Sequence, residues 1–322
     1  MGVSWGIIST ANINTPVIAA ARASQMLDIV AVAGRDEART ASYAREHGIP
    51  RAHTGYDALL ADPDVEAVYI SLPNGMHVDW AVRALQAGKH VLCEKPLSRR
   101  VAEAERAFDA ADAAGRLLME AFMWRHNPQT QRFAQLAGEA IGELRLVRAA
   151  FSFPLTDPGN VRLSRELDGG ALMDVGCYCV SGARLLAGEP DAVSAQQVTT
   201  ADGVDVRLAA TLRHAGGVLT TLDCALDLPN RSELQAIGSG GVLSAHDPWH
   251  CRAASFELLR GEEGETVSVN PADSYRLELE NLSAAIRGEG APLLGREDAV
   301  AQARVIEALY ASADAGGALT AV

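Results

Sequence analysis

The chain has 322 residues, enough for roughly two domains of about 150 residues each. With 48% hydrophobic and 21% charged residues it has the composition of a globular protein that buries a sizeable core. A net charge of −13 repels nucleic acid and anionic membrane surfaces, so neither is an expected partner.

No apolar run approaches the roughly 18 residues that a membrane span needs. The opening MGVSWGIIST has no basic region ahead of a cleavage site, so a cytoplasmic location is expected. The five cysteines are an odd number set in apolar segments, which points to buried free thiols and not to a disulfide framework.

Over the first 120 residues short apolar runs alternate with helical patterns. Strands are predicted at Ser4–Ile8, Ile29–Ala33, Ala67–Ser71, His90–Cys93 and Leu117–Met119. Helices are predicted at Pro16–Ala23, Glu37–His47, His77–Ala87 and Val101–Ala114, several ended by glycine (Gly48, Gly88, Gly115). This alternation reads as βαβ units in a parallel, doubly wound sheet.

The first strand breaks into Ser9-Thr10-Ala11-Asn12-Ile13-Asn14 before a helix, where a dinucleotide-binding fold places its phosphate turn. Ser9 and Ala11 stand where the first two glycines of the usual pattern would be, and both are small enough for close approach of a phosphate. The second strand ends in Gly34-Arg35, roughly 20 residues on from the turn. An arginine there suits the 2′-phosphate of NADP, and Arg39 adds a second positive charge; NAD is the alternative, with Asp36 beside the position. Glu94-Lys95-Pro96 follows a strand directly. That strand end is where open α/β sheets bind ligands, so Lys95 is placed to donate a hydrogen bond to a reacting oxygen.

After about residue 122 the pattern changes. Strands are predicted at Leu144–Phe153, Ala192–Thr199, Val204–Leu212, Val218–Cys224, Ser232–Ile237 and Ser255–Leu259, with helices only at Gly170–Leu186, Ser274–Arg287 and Asp298–Ala313. The expectation is a Rossmann domain over residues 1–121 and an α+β domain over 122–322 built on a large, mostly antiparallel open sheet. In Gly169-Gly170-Ala171-Leu172-Met173-Asp174-Val175-Gly176-Cys177-Tyr178, Asp174 and Tyr178 are four apart and share a helix face. A phenol and a carboxylate there, working with Lys95, make a proton-transfer group. A capping aspartate and a half-buried core tyrosine are the plainer reading.

The order of these segments carries more than any of them alone. The Ser9–Asn14 turn, Pro73-Asn74-Gly75-Met76-His77, Glu94-Lys95-Pro96, the run from Glu120 to Pro128 and Gly169–Tyr178 together resemble the Gfo/Idh/MocA family of sugar oxidoreductases over nearly the whole chain. The likeness is greatest to the branch of NADP-dependent D-xylose 1-dehydrogenases and dimeric dihydrodiol dehydrogenases. That branch has tyrosine where the inositol dehydrogenase branch has histidine, and Tyr178 is that residue here. The resemblance implies a homodimer or homotetramer formed through the open sheet, and places Glu94 on the nicotinamide ribose.

It also implies that Tyr178 takes the proton of a carbinol hydroxyl while Lys95 favours the phenolate and Asp174 orients the pair. Leu72, Pro73, Asn74 and His77 are expected to line the cofactor cleft, with Trp124 and Arg125 reaching the nicotinamide end. Aromatic faces suit sugar rings, which makes Trp124, Phe153 and Trp249 wall candidates, and Asn160 and Arg162 candidates to hold hydroxyls. Arg162 and Arg165 form the only close basic pair in that loop, so a neutral sugar or cyclic diol is expected over a sugar phosphate.

No metal is expected. Pro248 breaks the helix that would join His246 to His250, and Cys177-x-Cys179 lacks a zinc spacing. Two alternatives stay open: an NADPH-dependent keto-sugar reductase using the same residues, and a non-catalytic NADP-binding sensor or regulator.

Overall fold

The structure, a computed structural model, describes residues 2–322. It divides into two compact units. One comprises the chain up to Ser98, then Ala102–Met123 and Tyr275–Val300; the other comprises Arg99–Val101, Trp124–Ser274 and Ala301–Val322.

In the first unit β1 (Val3–Ile8), β2 (Leu27–Gly34), β3 (Arg51–Thr54), β4 (Ala67–Ile70), β5 (His90–Glu94) and β6 (Leu118–Ala121) form a six-stranded sheet in the order β3-β2-β1-β4-β5-β6. Every pair in it is parallel. The helices are α1 (Asn14–Arg22), α2 (Glu37–Glu46), α3 (Tyr56–Leu60), α4 (His77–Gln86) and α5 (Val101–Ala114). Strands covered on both faces must be apolar throughout, and Ala67–Ile70 and Val91–Cys93 are fully buried. The strand order reverses between β1 and β4, so the crevice beyond their carboxyl ends is the switch point at which such sheets bind ligands. The five predicted strands are all present. Two further elements are not among those predicted: β3, a short edge strand whose burial alternates, and the one-and-a-half-turn α3.

The second unit holds α6 (Pro128–Glu139), a helix not among those predicted. Its signals are local: the Asn127 side chain accepts from the Gln129 N–H as N-cap, proline occupies the first turn, and Phe133, Leu136 and Ala137 make its buried face. Then come β7 (Leu144–Pro154), α7 (Cys177–Ala187), β8 (Pro190–Thr199), β9 (Asp205–His214), β10 (Leu219–Ala225), β11 (Asp227–Gly238), β12 (Val242–Ala245), β13 (Ser255–Arg260) and β14 (Glu263–Ser268). The chain closes with α8 (Ser274–Ile286), α9 (Arg296–Asp314) and β15 (Thr320–Ala321).

The nine strands are ordered β14-β13-β12-β11-β7-β10-β9-β8-β15, and β7 pairs with β10 in parallel, so the sheet is mixed within a mostly antiparallel frame. Residues of β9 alternate between buried and open, the mark of a sheet with one covered face. α7 packs against β7, β10 and β11. α8 returns to the first unit, where the Trp5 indole N–H donates to Ser283 Oγ at 3.2 Å and Arg287 pairs with Glu66 at 2.7 Å. The change of pattern near residue 122 gives no sign of that return.

Candidate active site

The phosphate turn is built without its glycines. Ser9 takes φ +113°, a conformation that glycine adopts freely and other residues rarely do. Its hydroxyl holds the turn in place: it lies 2.7 Å from Ser71 Oγ and accepts from the Ala11 N–H at 3.1 Å. Asn14, buried at the head of α1, donates its side-chain amide to Ser9 O at 3.0 Å. Among the described residues the N–H groups of Thr10, Asn12 and Ile13 take no partner from the protein. Small side chains, three open donors and a helix N-terminus fit a pyrophosphate.

Arg35 and Arg39 are both exposed at the carboxyl end of β2. Asp36 is committed elsewhere: it caps α2, accepting from the Arg39 N–H at 2.7 Å. This position therefore presents positive charge and fits a 2′-phosphate.

Glu94 ends β5, Lys95 follows it directly, and both are partly exposed. The Tyr69 hydroxyl donates to Glu94 Oε1 at 2.5 Å, and the Lys95 backbone N–H donates to Oε2 at 3.2 Å. Burial and the Glu94 charge hold the Tyr69 phenol well above its ordinary range. The same two causes raise the buried Glu278 carboxyl of α8.

His77, expected in the cofactor cleft, is corrected to a structural role. It is 1% exposed, with Nδ1 2.9 Å from Pro96 O and Nε2 2.8 Å from Leu72 O. It ties together the two loops that carry Leu72-Pro73-Asn74 and Lys95. Burial lowers its pKa and favours the neutral ring.

The tyrosine helix begins at two glycines that nothing larger can replace. A Cβ on Gly169 would lie 2.4 Å from Arg162 O, and one on Gly170, at φ +131°, would lie 2.0 Å from Asp205 Oδ1. A π-helical turn, Leu172–Gly176, leads into α7. Across Gly169–Arg184 every residue is buried except Asp174 and Tyr178. Arg162 Nε donates to Asp174 Oδ2 at 2.6 Å, and the guanidinium lies 5.8 Å from the Phe153 ring centroid. Asn160 accepts from the Arg162 N–H at 3.1 Å and so shapes the loop that delivers the arginine. Arg125 donates to Ser181 Oγ of α7 at 3.2 Å.

Two wall candidates are corrected. Trp124 and Trp249 are 1% and 0% exposed and pack edge to face at 5.1 Å, with the Trp249 N–H donating to Ala150 O. They are core and have no face for a ligand. Beside Tyr178 stand two residues that are not among the predicted substrate contacts: Phe151, edge-on at 5.5 Å, and His250, edge-on to Phe151 at 5.7 Å. Phe151 and Phe153 lie two apart on β7, hence on one face, which is a signal the sequence carries. His250 pairs with Asp247 at 3.3 Å, while His246 faces Glu257 at 4.0 Å, so the two histidines serve different carboxylates.

A parallel sheet with a switch-point crevice, a donor-rich turn, and a second unit with a partly exposed tyrosine and a paired aspartate on a buried segment define a dinucleotide-binding oxidoreductase. Comparison with known proteins narrows this. Residues 3–122 match the oxidoreductase family with NAD-binding Rossmann fold, and residues 134–244 match the Gfo/Idh/MocA C-terminal domain. The chain belongs to the Gfo/Idh/MocA family. It is 41% identical to a D-xylose 1-dehydrogenase (NADP(+)) from Haloferax volcanii over 98% of both chains. It is 34% identical to trans-1,2-dihydrobenzene-1,2-diol dehydrogenase from Xenopus laevis, over 76% of this chain and 75% of that protein. A 3-ketoreductase from Actinomadura kijaniata, solved with NADP and TDP-benzene, superposes with a TM-score of 0.92 at 31% identity, covering 97% of this chain and 98% of that one.

Proposed function

We propose that the chain is an NADP(H)-dependent oxidoreductase acting on a carbinol carbon of a neutral sugar or cyclic diol. The observation that carries this is that Tyr178 and Asp174 alone are partly exposed on an otherwise buried segment, with Asp174 held by Arg162. A helix spends surface on a phenol in that way where the phenol meets a ligand.

Bound at the Ser9 turn, with its 2′-phosphate on Arg35 and Arg39, the nicotinamide supplies the hydride chemistry. Tyr178 takes the hydroxyl proton in oxidation and returns it in reduction. A phenol is a weak base at neutral pH, since its free pKa is about 10. Lys95 therefore donates a hydrogen bond to the reacting oxygen and supplies the charge that favours the phenolate. Glu94, fixed by Tyr69 and the Lys95 N–H, holds the ribose. Arg162 holds Asp174 oriented toward substrate hydroxyls, and Phe153 and Phe151 give the ring an apolar wall.

Of the close basic pair in this loop, Arg162 is already spent on Asp174, and Arg165 donates to Asp202 O at 3.2 Å. Little charge is left to clamp a phosphate, which favours a neutral substrate. The named dehydrogenase relatives and the ketoreductase support both directions of the reaction. The open face of the nine-stranded sheet bears a shallow concavity of about 580 Å³ carrying Arg148 and Arg231 beside Asp223 and Glu233. Mixed charge of that kind suits an isologous contact, so the protein assembles as a homodimer through this face. Among the described residues no helix is long and apolar enough to cross a membrane, which accords with work in the cytoplasm.

The test is a screen of xylose, glucose, their phosphates, inositols and trans-dihydrodiols with NADP⁺ and NAD⁺, following absorbance of the reduced cofactor. A neutral aldose or diol with NADP⁺ should give the highest kcat/KM. A phosphorylated sugar ahead by tenfold or more would overturn the substrate class.

A further inference from the structure

One buried carboxylate lies outside the groups assigned to chemistry. Asp205 opens β9 and is 2% exposed. Its Oδ2 accepts from the Leu172 N–H at 2.7 Å, the first residue of the π-helical turn that carries Asp174 and leads to Tyr178. Its Oδ1 accepts from the Tyr310 hydroxyl of α9 at 2.9 Å, and stands where a Gly170 side chain would be. The charged and titratable groups around it are few. Arg99 lies 3.8 Å from the Tyr310 ring centroid and is shared with Asp168 at 3.8 Å, while the Cys224 thiol faces it from β10.

We propose that Asp205 is a positioning residue that, as a carboxylate, pins the first turn of the Asp174–Tyr178 segment and so sets the proton acceptor in place.

A backbone N–H at the head of a helical segment is held best by an ionised oxygen, and a protonated acid holds it less well. Tyr310 can turn its hydroxyl to accept the new proton, but the Leu172 N–H can only donate, so protonation weakens the bond that matters. Burial, the largest influence, pushes the Asp205 carboxyl up to about 6, against the pull of the Leu172 N–H, Tyr310 and Arg99. A side chain kept charged in so dry a place is a cost to folding that asparagine of the same shape would avoid, which points to a use for the charge.

The inference rests on Tyr178 as proton acceptor. The experiment is the pH profile of kcat in the reduction direction, where Tyr178 is the proton donor and adds no acid limb of its own, with KM for NADPH at each pH, for wild type, Tyr310→Phe, Asp205→Asn and Tyr178→Phe. Wild-type kcat should fall as pH drops through about 6. Tyr310→Phe removes a bond to the carboxylate and should move that limb up by roughly one pH unit. Its KM for NADPH should stay within about twofold of wild type. Asp205→Asn should have no such limb. A wild-type profile flat through this range, or a limb unmoved in Tyr310→Phe, overturns the proposal even if Asp205→Asn fails to fold. If Tyr178→Phe keeps its kcat, the proton-acceptor reading fails instead; if it is dead while the limb stays put, only the role of Asp205 falls.

Discussion

Asp205→Asn has a thermodynamic signature separate from turnover. The folded carboxyl titrates at about 6 against an ordinary 3.8. A folded pKa raised above the unfolded one favours the protonated folded state. Its contribution is therefore fully present below the unfolded value and is lost as pH rises through the folded one. A difference of roughly two units is worth about 3 kcal/mol over the whole window. Between pH 8 and pH 5 only part of that window is crossed, and the wild type gains about 1.4 kcal/mol from this group. Asparagine cannot titrate and gains nothing. By calorimetry the melting temperature of Asp205→Asn relative to wild type should therefore be higher at pH 8 than at pH 5, by roughly 3–5 °C. The other titrating groups are common to both proteins and cancel in the difference. A gap between the two proteins that does not change with pH would refute the reasoning, because it would mean that the carboxyl does not titrate in this range.

Three further outcomes follow from the site. Arg35→Asp should weaken NADP⁺ far more than NAD⁺, through a lost charge pair and a new repulsion, read as separate KM values; equal changes would remove the argument for NADP. Arg162→Gln leaves Asp174 without its 2.6 Å partner, and should lower kcat about 10- to 100-fold with little change in cofactor KM. Ser9→Ala removes the hydroxyl that bonds Ser71 and the Ala11 N–H. It should cost about 1–2 kcal/mol of stability by denaturant titration and weaken NADPH binding followed by fluorescence.

What could be read from the residues was what local chemistry writes. The βαβ alternation, the Ser9 turn, the strand ends at Arg35 and Lys95, and the pair Asp174 and Tyr178 are all set by near neighbours in sequence. α6 was equally legible, since Asn127-Pro128 is a start signal, but its glutamine-rich surface hid the apolar face of Phe133, Leu136 and Ala137. Trp124 and Trp249 were misplaced because an aromatic ring suits a sugar wall and a core alike, and only packing separates the two. His77 was misplaced for a related reason: its motif position is right, but both ring nitrogens are taken by backbone carbonyls distant in sequence or across a loop. Asp205 lies 33 residues from the N–H it holds. No pattern along the chain points to that bond.

The central claim is that Lys95 and Tyr178 act as one proton-transfer unit, and a double-mutant cycle tests it most directly. Wild type, Lys95→Met, Tyr178→Phe and the double mutant are compared by kcat on the best neutral substrate, with NADP⁺ affinity measured by binding. Each single change should lower kcat by orders of magnitude with affinity near wild type, and the double mutant should be little worse than either, because groups that act together lose their effect together. Losses that multiply in full would show the two residues working independently and would contradict the account.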